Sequence, residues 1–97
     1  MGGMTLRQAL EEYKSVYLPA RNYSQRTRVE YSHDVEELVA FLEKKGNKRV
    51  GDLGIQGLER YLADLDYRGI AGSTRKRKVV SIRSFLSFLY QYLRQNE

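Results

Sequence analysis

Apolar residues recur along this chain at intervals of three and four, the spacing that gathers them on one face of an α-helix, and no segment alternates convincingly in the manner of a strand. The first series is Leu6, Leu10, Tyr13 and Tyr17, opened by Thr5 and Gln8 as a Thr-x-x-Gln capping box. Pro19 is expected to end it, because a proline disfavours helical geometry in the residue before it. The second series, with Ser24 as its cap, passes through Tyr31, Val35, Leu38 and Leu42 to a stop at Gly46-Asn47, leaving Glu30, Glu36, Glu37 and Lys44 off the stripe. A third carries Leu58, Leu62 and Leu65 with Tyr61 beside them and closes near Gly69. The fourth, with Ser73 as its expected cap, carries Val79, Ile82, Phe85, Leu86, Leu89 and Leu93. Helices are thus predicted over about 5–18, 24–45, 55–68 and 73–94. Four amphipathic helices with short connections predict an all-α, compact four-helix bundle, a single domain over residues 5–95. The opening Met1-Gly2-Gly3-Met4 reads as a remnant placed before a natural start at Met4.

Composition narrows the chemistry. A chain of 97 residues holds one core but hardly the scaffold of a catalytic cleft. With no Cys and one His, thiolate catalysis, a Cys/His zinc site and a disulfide framework are excluded, and no cofactor is expected. No apolar run approaches the roughly 20 residues needed to span a bilayer, so no membrane partner is expected and the chain is expected in the cytoplasm.

Charge singles out one end. From Ser73 to Glu97 there are six cations and one anion, which accounts for the whole net charge of +5; the residues before them balance. The excess centres on Arg75-Lys76-Arg77-Lys78, on the first turns of the fourth helix, where positive charge opposes the helix dipole and needs another justification. At about 100° per residue, with Ile82 inward, Lys76, Val80, Arg83, Ser84 and Ser87 form the outward stripe and Arg77 lies at its edge. Cations beside small side chains suit close approach to a polyanion, and Ser73 and Thr74 add phosphate donors at a helix start. Ser24-Gln25-Arg26-Thr27-Arg28 repeats this layout at the second helix, so two helix starts could grip phosphates on either side of a groove. Plainer accounts stand beside this one: solvated charges or a basic import-like run at 75–78, a simple cap at Ser24, and an Arg26–Glu30 pair one turn apart. His33 reads as surface decoration, and Tyr13, Tyr17, Tyr31 and Tyr61 as core or core-rim residues, not nucleophiles.

Three segments, in order, carry a resemblance. Ser24-x-x-Thr27-x-x-x-Tyr31-x-x-Asp34-Val35-x-x-Leu38 followed by Phe41-Leu42, then Asp52-Leu53 with Tyr61-Leu62-x-x-Leu65, then Thr74 through Leu86, are similar to the N-terminal, SAM-like core-binding domain of tyrosine recombinases, the phage integrases and Xer-type enzymes. The likeness spans about residues 5–95 and rests on hydrophobic spacings. It implies a domain that clamps double-stranded DNA at a recombination half-site through its second and fourth helices, contacting neighbouring protomers in a synapse. It also implies a separate C-terminal catalytic domain that supplies the Arg, Lys, His and Tyr of strand cleavage and rejoining, with Glu97 standing just before the linker to it. This chain is then expected to bind DNA on the bacterial or phage nucleoid and to catalyse nothing by itself.

Carried over by position, the DNA-facing residues are Ser24, Arg26, Thr27 and Arg28, with Thr74, Arg75, Lys76, Arg77 and Arg83. Arg28 and Arg75 depart from the family pattern, which commonly has an apolar residue after each threonine. Both point toward the core side, leaving open whether they snorkel to phosphate or pair internally with acids such as Asp34 or Asp66. The competing class is a helical protein-interaction module that packs the Val80, Ser84 and Ser87 stripe on another helix and turns its basic end to an acidic partner.

Overall fold

The computed structural model describes the backbone of residues 3–95 and the side chains of residues 3–92, so Met1, Gly2, Glu97 and the side chain of Leu93 on the apolar stripe lie outside what is described. The helices are α1 (Leu6–Glu12), a π turn (Tyr13–Tyr17), α2 (Leu18–Ala20), α3 (Gln25–Lys44), a 3₁₀ turn (Val50–Asp52), α4 (Ile55–Tyr67) and α5 (Gly72–Gln95). Because α1, the π turn and α2 run on without a break, the chain forms four helical rods, and among the described residues there is no strand. The fold is all-α, as the hydrophobic spacing predicts.

Local chemistry sets the ends of each rod. Thr5 Oγ1 accepts from the Gln8 N–H at 3.0 Å, and Gln8 Oε1 accepts from the Thr5 N–H at 3.0 Å, closing the capping box. Pro19 does not stop the first rod. The Leu18 N–H reaches back five residues to the Tyr13 carbonyl, and this wider turn relieves the ring of Pro19, which in regular α-helix would press on the carbonyl four residues before it. The rod ends one residue past Pro19, at Ala20, and the chain leaves it through Asn22, in left-handed geometry with φ 59°. The next two helices end through Gly46 (φ 89°) and Gly69 (φ 70°), where a side chain would be strained. In each case two N–H groups satisfy the last carbonyls: Asn47 to Leu42 and Gly46 to Glu43, then Ile70 to Leu65 and Gly69 to Asp66. Ser24 caps α3 by accepting from the Thr27 N–H at 3.2 Å. Ser73 does not cap α5: the helix begins at Gly72, with the Arg75 N–H bonded to the Ala71 carbonyl at 2.9 Å, so Ser73 lies inside the first turn. The connection after α3 clips onto the start of α1, through Leu6 N–H to Lys48 O at 2.8 Å and Val50 N–H to Met4 O at 2.9 Å.

The core takes Leu6, Ala9 and Leu10 from α1, Tyr13 and Tyr17 from the π turn, Val35, Leu38, Val39 and Leu42 from α3, Tyr61 and Leu65 from α4, and Ile82, Phe85, Phe88 and Leu89 from α5. An aromatic cluster joins the first rod to α5. The Tyr13 ring meets Phe85 edge-on at 5.3 Å and stacks on Tyr17 at 5.5 Å, while Tyr17 meets Phe88 edge-on at 5.1 Å. Tyr13 and Tyr17, four residues apart on the π turn, both face inward. Tyr13 also donates its hydroxyl to Ser84 Oγ at 2.8 Å, so Ser84 belongs to the α1–α5 contact and not to the outward stripe that the helical angles gave it. Replacing fully buried Phe85 by Ala is expected to cost about 3–5 kcal/mol of folding free energy, measured by urea denaturation, because the cavity opens in the middle of this cluster.

Candidate nucleic-acid interface

Helix α3 sends three acids, Glu30, Asp34 and Glu37, toward the basic start of α5 and the end of α4. Asp34 is the centre: its residue exposure is 1%. Its Oδ1 accepts from Arg77 Nη2 at 2.8 Å and Lys78 Nζ at 3.2 Å, and its Oδ2 from Arg77 Nε at 3.0 Å and Ser81 Oγ at 2.8 Å. Those four donors match the four lone-pair directions of a carboxylate, and the Arg77 fork is bidentate. Buried Lys78 reaches on to Glu37 Oε1 at 3.0 Å, and Glu37 also accepts the Tyr61 hydroxyl and lies 3.8 Å from Arg68 Nη2. At the other end Glu30 pairs with Arg26 at 3.5 Å, and its charge is felt by Arg77. Among the described residues, no buried side-chain nitrogen or oxygen lacks a hydrogen-bond partner.

Electrostatics follow from these contacts. Burial pushes the Asp34 carboxyl up, but the hydrogen bonds from Arg77, Ser81 and Lys78 outweigh it and hold the group below its ordinary range. Glu37 behaves alike: burial raises it, and the Tyr61 hydroxyl with Lys78 and Arg68 brings it lower. The hydrogen bonds to Asp34 raise the Arg77 guanidinium above its usual value. Burial pushes the Tyr13 and Tyr61 phenols well above the usual tyrosine range, the reverse of what activates a tyrosine as a nucleophile.

The basic run is therefore not four free cations. Arg75 donates from Nη1 to the Leu62 carbonyl at 3.1 Å, bracing α5 against α4, and pairs with neither Asp34 nor Asp66. Arg77 turns onto Asp34, away from the outward stripe whose edge its helical angle gave it, because a buried carboxylate one helix away offers its fork two bonds at once. The Arg77 side chain nevertheless remains 38% exposed. Lys78 is buried altogether. Lys76 and Arg83 are exposed and have no ion-pair partner among the described residues. Thr74 is half-buried in the first turn of α5.

On α3, Ser24 is exposed and occupied with its capping duty, and it also donates to Thr27 Oγ1 at 3.0 Å. Arg26 projects into solvent, its side chain 88% exposed, tethered only by Glu30. Arg28 donates from Nε to the Tyr23 carbonyl at 3.0 Å and meets no acid among the described residues, and His33 is exposed. The reading of charges offered Asp34 as an internal partner for Arg28 or Arg75 and missed Arg77 and Lys78, though one signal was available. Lys78 lies one turn before Ile82, about 40° round the helix, and so within the inward sector where an unpaired ammonium cannot remain. A buried acid opposite it is then required.

Fold and sequence place the chain in one family. Residues 10–92 match the phage integrase, N-terminal SAM-like domain, and the chain belongs to that family. It is similar to the tyrosine recombinase XerC of Lacticaseibacillus casei, with 36% identity over 85 residues, 84% of this chain and 26% of that protein. It is likewise similar to the tyrosine recombinase XerC of Listeria welshimeri, with 32% identity over 94 residues, 96% of this chain and 30% of that protein. To the tyrosine recombinase XerC of Bacillus subtilis it is 32% identical over 69 residues, 71% of this chain and 23% of that protein. The chain thus spans less than a third of the curated relatives it matches. No solved structure matches it.

Both seam carboxylates titrate lower in the folded chain than in the unfolded one, so their contribution is whole above the unfolded range near about pH 4 and is lost as pH falls through the folded values. Urea midpoints followed by circular dichroism are expected to stay level from pH 7 to about pH 5 and to fall below about pH 4. Asp34→Ala is expected to cost about 3–5 kcal/mol at pH 7, because it removes the acceptor that Arg77 and Ser81 share and leaves buried Lys78 with Glu37 alone, and to flatten the acid limb.

Proposed function

We propose that this chain is the DNA-binding, core-binding N-terminal domain of a tyrosine site-specific recombinase, gripping duplex DNA at a recombination half-site with the start of α3 and the exposed face of α5. The observation that carries the reading is the pair Lys76 and Arg83, exposed cations without ion-pair partners among the described residues, on one face of a helix whose other face is locked into the core. Seven residues apart, they stand about 10 Å from one another along α5, a span suited to following one side of a groove. Arg77 adds the exposed edge of a guanidinium that Asp34 already orients, so little side-chain entropy is lost when a phosphate arrives. Ser24, Arg26, Thr27 and Arg28 on α3, with Thr74 and Arg75 on α5, complete the proposed surface. The near-neutral Arg26–Glu30 and Arg77–Asp34 pairs within it direct the polyanion to Lys76 and Arg83.

In this reading the chain holds DNA and a separate catalytic domain of the parent protein cleaves and rejoins the strands. Buried Tyr13 and Tyr61, with phenols pushed far from ionisation, support a binding role over nucleophilic chemistry. Exposed Ile55 and Tyr67, at the two ends of α4, support contacts with that domain or with a neighbouring protomer in the synapse. Work on bacterial or phage DNA would place the chain in the cytoplasm; among the described residues no helix is long and apolar enough to cross a membrane.

Binding by the domain alone is expected to be weak, with Kd of roughly 10⁻⁴ to 10⁻⁶ M at physiological salt. Lys76→Ala combined with Arg83→Ala is expected to reduce the log–log salt dependence of duplex binding by up to about two, with an unchanged Tm. Fluorescence anisotropy on a 20-base-pair duplex across a salt series measures it, and equal binding by wild type and double variant would sink the α5 assignment.

A further inference from the structure

One exposed side chain on the α5 face is out of keeping with a surface meant only for phosphate. Val80 is 46% exposed, yet it is neither charged nor polar. At about 100° per residue, Lys76 and Arg83 lie about 40° and 60° to one side of it, and on the other, about 60° away, Arg77 turns onto Asp34 with only part of its side chain exposed, so Val80 borders the two outward cations. Exposed Ser87 continues the same line one helical turn beyond Arg83. Nothing in the fold needs a valine there: the core side of the helix is filled by Ile82, Phe85, Phe88 and Leu89. A β-branched residue is also a weaker helix former than the Lys, Glu or Gln that ordinarily fills a solvated face.

Chemistry says what such a residue meets when the flanking cations rest on phosphates. A helix lying in the major groove turns its central face to the base edges, and among the groups displayed there the thymine C5 methyl is the apolar one. A valine has no hydrogen-bonding group to read guanine, cytosine or adenine, and opposite any of these it would leave their polar edges without a protein partner. We infer that Val80 is a specificity-determining residue of the DNA surface, whose γ-methyl groups pack on a thymine C5 methyl in the major groove. The inference rests on the DNA-binding reading above and adds to it the base that the α5 face prefers. Lys76 and Arg83 then set where the helix sits, and Val80 biases which sequence it settles on.

Two self-complementary 20-base-pair duplexes test this, one of alternating adenine and thymine and one in which every thymine is replaced by deoxyuridine, so that they differ in the C5 methyl groups. The full 97-residue chain with methyl-labelled valine is titrated with each at low salt. Wild type is expected to bind the thymine duplex about fourfold more tightly, the worth of one buried methylene-sized contact, with the Val80 methyl resonances shifting more in that complex. Val80→Ala is expected to bind both duplexes alike with an unchanged salt dependence, whereas Val16→Ala, which trims a comparably exposed apolar side chain on the π turn, keeps the preference. Equal binding of both duplexes by wild type, with the Lys76→Ala/Arg83→Ala variant still weakened on both, overturns the role of Val80 and leaves DNA binding standing. A thymine preference that survives Val80→Ala also overturns it. Failure of wild type to bind either duplex defeats the DNA-binding reading and this inference with it.

Discussion

A carboxylate that water scarcely reaches decides how the helices of this domain meet. Asp34, on the inner side of α3, is satisfied only when Arg77, Lys78 and Ser81 of α5 all stand within hydrogen-bond reach. Four donors on two oxygens leave little freedom in the rotation or register of α5 against α3, since a shift of one residue would strand a buried charge. Apolar packing alone tolerates such shifts more readily, because hydrophobic contact is non-directional. Lys78 extends the constraint to Glu37, and through Tyr61 and Arg68 the same seam takes in α4.

This seam also accounts for cations placed at the start of a helix, where the macrodipole disfavours them. Of the consecutive residues Arg75 to Lys78, Arg75 braces the end of α4, while Arg77 and Lys78 neutralise Asp34 and Glu37. Lys76 is the one among them left exposed and without an ion-pair partner among the described residues, and Arg83 joins it two turns further on. Among the described residues, the basic residues of α5 therefore divide into a structural part turned inward and a part offered to solvent. The two parts depend on each other. A helix locked on one face holds the cations of its other face in fixed relation, and this is what a surface that must match the spacing of phosphates requires.

The aromatic contact between the first rod and α5 supplies the second anchor. Tyr13, Tyr17, Phe85 and Phe88 interlock by edge and face, and Arg21 lays its guanidinium 3.5 Å from the centre of the Tyr17 ring while reaching Gln91 Oε1 at 2.9 Å. Tyr13 and Tyr17, four residues apart, share one side of the rod, and the π turn between α1 and α2 accommodates Pro19. Polar closure at Asp34 and aromatic closure at Tyr13 grip α5 from two neighbours, α3 and the first rod.

Much of this could be read from residue spacing. The capping box at Thr5, the stripes through Leu38 and Phe85, and the stops at Gly46 and Gly69 are consequences of local helix geometry, which repeats every 3.6 residues whatever the helix packs against. Spacing also found Lys76 and Arg83 as outward cations, and the order of three matching segments pointed to the family. It could not say that Arg77 faces Asp34, that Ser84 receives the Tyr13 hydroxyl, or that Leu18 stays helical before Pro19. Each of these depends on a partner far away in the chain or on a carbonyl displaced by one residue in a widened turn. The direction of a side chain near the border of a helix face is set by whichever neighbour offers the better bond. For a flexible arginine at the edge of a stripe, a buried carboxylate on the next helix outweighs the angle at which its own backbone points it.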